Sequence, residues 1–147
     1  MSMKEEKKKV TRTALREIAL RLLFGYTFNT ENDGEALEDY YNAALQSVGY
    51  EDDPYVRTVF FGVVHDVQQL DGTISEYAVG WILGRISRMS LSIMRLCLYE
   101  AEHIDDVPVA VAINEAVELA KKYDTEAAPA FINGILNAAL KDKEKTE

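Results

Sequence analysis

Residues 88–103, RMSLSIMRLCLYEAEH, constrain the fold more than any other stretch. From Leu91 to Tyr99 the chain is apolar apart from Ser92 and Arg95, and neither Gly nor Pro interrupts a helix. On a helix, Leu91, Met94 and Leu98 fall on one side, and Ile93, Leu96 and Cys97 on another. A helix that is apolar nearly all round is buried nearly all round. This one is too short to span a bilayer, which takes about 20 apolar residues. It therefore reads as the central helix of a soluble helical domain, capped by Ser87 or Ser90, with other helices wrapped around it. Arg95 inside it needs an acceptor, and Glu100 is the partner within reach.

The remaining chain supplies the surrounding helices. Residues 1–10 are polar and basic without a burial pattern and read as a mobile arm. From Thr11, Leu15, Ile18, Ala19, Leu22, Leu23 and Tyr26 follow helical spacing. Arg12 and Arg16 are four apart, so they share a face at the edge of that apolar stripe. With Lys8 and Lys9 they form a basic ridge suited to a phosphate track. NTENDG is a turn, and a second helix runs from about Glu35 to Val48 with Gly49 as its stop. Asp53-Pro54 starts a third helix carrying Val56, Val59, Phe60, Val63, Val64 and Val67. Asp71-Gly72 reads as a break before a short fourth helix from Thr73 to about Ala78. Trp81 and Ile82 lead through Gly84 to the central helix. A sixth helix spans Pro108 to Tyr123, and a seventh starts near Thr125 and Pro129. Within the sixth, Asn114 and Glu118 share a face, as do Glu118 and Lys122, which fits an inter-helix hydrogen bond and a solvated ion pair. In the seventh, Gly134 reads as a site of close helix packing. Phe131 fits either the core or an exposed base-stacking position. The pattern gives about seven helices, no strand and short loops. Residues 11–141 form one domain, and residues 142–147 a solvated tail.

Charge is distributed unevenly. The chain has a formal net charge of −9, yet residues 1–21 hold seven basic groups against three acidic ones, leaving nine basic and 22 acidic groups elsewhere. An acidic body with a basic arm can meet two partners of opposite charge, while a solubilising tail is the plainer reading of charge alone. The single cysteine, Cys97, rules out an internal disulfide and fits a reducing compartment. No signal peptide or transmembrane run is visible. His65 and His103 lack metal-ligand spacing. There is no phosphate-binding glycine loop, nucleophile elbow or calcium loop. An enzyme is therefore a weaker expectation than a binding module.

The run DDVPVAVAINEAVELAKKYDTEAAPAFINGIL, residues 105–136, resembles the NusB family of bacterial transcription antitermination factors. RISRMSLSIMRLCLYE resembles the family's central helix, and TRTALREIALRLLF, residues 11–24, its arginine-bearing first helix. The likeness covers nearly the whole chain; across residues 29–80 only the helix pattern agrees. It implies an all-α fold of two small packed helical subdomains. It implies binding of the single-stranded boxA element of nascent ribosomal RNA, as a heterodimer with NusE, a small-subunit ribosomal protein. It also implies entry into the RNA polymerase elongation complex with other Nus factors, where premature termination is suppressed. No catalysed reaction, no cofactor, no membrane and a cytoplasmic location go with it. On this resemblance Lys7, Lys8, Lys9, Arg12, Arg16, Lys121 and Phe131 are the RNA-binding residues. Thr13 and Ala14 stand where other members carry a denser arginine cluster. Some members are homodimers, and the sequence leaves a homodimer open; it names no residue for NusE. The fold also occurs as an appendage of a ribosomal RNA cytosine methyltransferase, for whose catalytic domain 147 residues leave no room. The alternatives are a helical protein–protein adaptor without direct RNA binding and, behind it, a small enzyme, which would need a convergent pocket of ionisable groups.

Overall fold

Side-chain caps begin three of the helices. Thr11 accepts a hydrogen bond from the Ala14 N–H, the Asp53 carboxylate accepts from the Tyr55 and Val56 N–H groups, and Ser87 accepts from the Ser90 N–H. Each satisfies backbone donors that the first helical turn leaves without partners. The computed structural model describes residues 10–29 and 34–141. They form α1 (Arg12–Tyr26), α2 (Gly34–Val48), α3 (Pro54–His65), α4 (Val67–Tyr77), α5 (Arg88–His103), α6 (Val109–Tyr123) and α7 (Ala128–Ala139), with one 3₁₀ turn at Leu83–Arg85. No strand occurs among the described residues. Residues 1–9 of the expected arm, including Lys7, Lys8 and Lys9, residues 30–33 of the expected NTENDG turn and residues 142–147 lie outside them.

α5 is the axis of the fold. It packs against α1, α3, α4, α6 and α7. Ile93, Met94, Leu96, Cys97 and Leu98 are all buried, as the all-round apolar pattern requires. Burying a side chain of this size contributes about 1.5–3 kcal/mol. α1, α2 and α3 gather on one side of α5, and α4, α6 and α7 on the other, so the two small helical groups share one continuous core. Ser87, not Ser90, is the N-cap of α5; Ser90 is buried and donates to Asp124 at the end of α6.

Four local expectations are corrected. The chain does not break at Asp71-Gly72: both lie inside α4, which starts at Val67, the residue expected to close the third helix. Asp71 is held there by Arg95, whose Nε and Nη2 donate to its two oxygens at 2.7 and 2.9 Å. That two-pronged pair joins α4 to α5 and offsets the roughly 1 kcal/mol that a helical glycine costs. Arg95 therefore pairs with Asp71 and not with Glu100. Gly134 makes no close packing, since a Cβ there would meet nothing within 4 Å. The close approach is at Gly62 instead, where a Cβ would fall 2.1 Å from the Tyr99 ring. On α6, Asn114 is exposed, Glu118 pairs with Lys121, and Lys122 reaches Glu17 on α1.

Candidate nucleic-acid interface

Side chains of α1 reach charged and aromatic partners on α3, α5 and α6, and they divide into three groups. At the N-terminal end is Arg12, in the first turn of α1. Its side chain is 39% exposed, and its guanidinium lies over the Tyr55 ring, 4.4 Å from the centroid. Asp106 approaches it at 3.6 Å. The aromatic face attracts the cation without consuming its N–H donors, so Arg12 keeps donors available at the surface.

One turn further, Arg16 has the opposite surroundings. It is only 4% exposed. Its Nε and Nη2 donate to the two oxygens of Glu100 at 2.8 and 2.5 Å, and Nη1 donates to Glu115 at 2.7 Å. The Tyr55 hydroxyl donates to the same Glu100 at 3.0 Å. Burial alone would lower the Arg16 pKa, but the Glu100 hydrogen bonds and the charges around it outweigh burial and raise it. Burial together with the Glu100 charge pushes the Tyr55 hydroxyl up as well. Arg16 is thus not part of a surface ridge. Helical spacing placed it at the edge of the apolar stripe, but α5 and α6 close over that edge and bring two carboxylates to it.

At the C-terminal end of α6, Lys122 donates to Glu17 of α1 at 2.7 Å and the Tyr123 hydroxyl donates to the same carboxylate. Burial works to raise the Glu17 pKa, yet these two donors hold it below the ordinary value. Arg21 is exposed nearby, and Lys121 is exposed beside Glu118 at 3.1 Å. Phe131, in the first turn of α7, is half-buried: one side packs on the core, and the Trp81 ring meets it edge to face at 5.0 Å. Of the sequence-derived RNA residues, then, Arg12, Lys121 and Phe131 reach the surface, Arg16 does not, and Lys7, Lys8 and Lys9 fall outside the described residues.

The NusB family model matches residues 13–141. The chain belongs to the NusB family. Among curated relatives, the transcription antitermination protein NusB of Acetivibrio thermocellus is 42% identical over 134 residues, covering 90% of each chain. That of Clostridium botulinum strain Loch Maree is 40% identical over 144 residues, covering 89% of this chain and all of its own. Among solved structures, T. maritima NusB superposes with a TM-score of 0.82 at 32% identity, covering 95% of this chain and 99% of that one. A crystal structure of the antitermination factors NusB and NusE with double-stranded RNA superposes at 0.76, covering 89% of this chain and 96% of that one; at 22% identity it shows the shared fold.

This NusB-family chain also has a cleft of about 690 Å³ between the end of α1 and α3, α4 and α5. Of its lining residues, Arg95 and His65 are already paired with Asp71 and Asp66. The described residues contain no group of three or more His, Cys, Asp or Glu arranged for a metal, and no helix among them is long and apolar enough to cross a membrane. Two neighbours of the candidate residues escaped the sequence reading: Tyr55 beneath Arg12 and Trp81 against Phe131. Both contacts join residues far apart in the chain, and no local spacing signals them.

Proposed function

We propose that this NusB-family protein is a transcription antitermination factor. It binds the boxA element of nascent ribosomal RNA as a heterodimer with NusE and joins the RNA polymerase elongation complex with other Nus factors. It acts in the cytoplasm, by binding and not by catalysis. The match of the NusB family model over residues 13–141 carries this reading. The surface supports it. Arg12 presents a guanidinium at the start of α1, three positions after Lys9 in the sequence, and Phe131 offers part of an aromatic face. Arg16, buried between carboxylates, is left out of the contact set.

The test is anisotropy of a labelled boxA-like oligoribonucleotide with the full chain, with and without NusE, across a salt titration. Binding is expected, tighter with NusE, with a log–log salt slope near −0.7 per phosphate contact. Phe131→Ala should lower affinity by about 1–3 kcal/mol and leave the slope alone, because stacking releases no counterions. An RNA that stays unbound at moderate salt with NusE present rejects RNA binding and leaves the adaptor reading.

A further inference from the structure

Phe131 is not an isolated ring, and its neighbour is the more exposed of the two. In the connection between α4 and α5, Val79, Trp81 and Ile82 are 85%, 54% and 69% exposed. Three large apolar side chains within four residues thus face solvent, the kind of exposed apolar cluster that binding surfaces use. The loop is also built. The Trp81 N–H donates to the Ala78 carbonyl at 3.0 Å, and Gly80 between them has φ +85°. That is the geometry of a type II turn, which needs φ > 0 at its third residue. The turn aims the indole at α7, where it meets Phe131.

Charge indicates which class of partner this surface fits. The chain has 25 acidic residues, yet residues 77–99 contain none, and residues 127–140 of the facing segment contain no charged residue at all. The only charges in the first segment are Arg85, Arg88 and Arg95. Arg95 is tied to Asp71, and Arg88 lies over the Phe28 ring and donates to the Thr27 carbonyl. Arg85, four residues after Trp81, is exposed and makes no ion pair among the described residues. A basic protein would seek carboxylates and find none within these two segments, only the exposed Glu76 and Glu126 at their leading edges. A single-stranded nucleic acid needs aromatic faces for its bases and cations for its phosphates, and finds both.

We propose that Trp81 and Arg85 form a second RNA subsite, continuous with Phe131, in which Trp81 stacks a nucleobase and Arg85 meets a phosphate. This rests on the RNA-binding reading above and extends it from the start of α1 to the α4–α5 connection.

Trp81 is the only tryptophan, so its emission reports this loop alone. Titrating the full chain, with NusE bound if needed, with an unlabelled boxA-like oligoribonucleotide of about 12 nucleotides should quench that emission. The midpoint should match the one obtained by anisotropy. Trp81→Ala should weaken binding roughly 5- to 100-fold without changing the salt slope, whereas Trp81→Phe should retain most of the affinity. Arg85→Gln should flatten the slope by about 0.7. Melting temperatures of the variants check the fold, and the quench in the unsubstituted protein needs no variant at all. Unquenched emission at saturating RNA overturns the subsite. So does a folded Trp81→Ala that binds RNA normally while Arg12→Ala and Phe131→Ala bind weakly; RNA binding would then stand without the subsite. If Trp81→Ala instead weakens only NusE binding, the surface belongs to the protein partner and the subsite is overturned. If no RNA binding is seen in any form, the functional reading itself fails.

Discussion

At the scale of single residues, Arg16 and Arg12 separate stability from binding. Arg16→Ala leaves Glu100, fully buried, without its main partner. Removing one member of a buried pair costs about 3–5 kcal/mol, so urea unfolding should show a loss of that size, and any RNA defect of the variant should follow the loss of fold. Arg12→Ala removes a half-exposed cation whose contact with Tyr55 is worth about 0.5–1 kcal/mol. Its stability should barely change, while RNA affinity falls and the salt slope flattens by about 0.7. A marginal unfolding effect for Arg16→Ala would contradict the ion-pair assignment, and normal RNA binding by Arg12→Ala would contradict the surface one.

At the scale of helices, two glycines carry opposite expectations. Gly62 lets α3 approach the Tyr99 ring of α5, and a methyl group there has no room. Gly62→Ala should destabilise by about 1–3 kcal/mol, the usual cost of overpacking. Gly134 sits inside α7 facing open space, so Gly134→Ala should stabilise by about 0.5–1 kcal/mol. Thermal melts of the two variants should move in opposite directions. The junction of α1 and α6 adds a pH dependence. Glu17 is held below the ordinary glutamate pKa in the folded state, so the unfolded chain takes up this proton first on acidification. The contribution is therefore complete above the unfolded value of about 4.3 and lost as pH falls through the lower folded value. Between pH 5 and pH 3 the midpoint of Glu17→Gln should fall less steeply than that of the parent; parallel curves would remove Glu17 from the acid response.

At the scale of the whole molecule, the charge of −9 conceals a separation: a basic leading segment ahead of an acidic body. Complementary charge raises encounter rates more than it tightens complexes. Rising salt should slow association with a basic protein such as NusE and leave dissociation nearly unchanged, as measured by surface-immobilised kinetics at several ionic strengths. An association rate indifferent to salt would remove the electrostatic argument while leaving the pairing intact. RNA should respond in the equilibrium constant as well, since each neutralised phosphate releases counterions.

The sequence by itself determined the all-α class, most helix starts and the burial of α5, because periodicity, caps and proline positions act within a few residues. It also carried the family, whose motif at residues 105–136 is local. Tertiary structure decided what depends on distant partners. Arg16 became a core residue because Glu100 and Glu115, 84 and 99 positions later, arrive on α5 and α6. α4 runs through Asp71-Gly72 because Arg95, 24 positions later, grips Asp71. The surface aromatic pair exists because the turn at Gly80 delivers Trp81 to Phe131, 50 residues further along the chain. Helical spacing gives the direction of a side chain from its own axis; whether that direction ends in solvent, in a carboxylate or on another ring is set by the elements that pack there, and those are chosen by the fold.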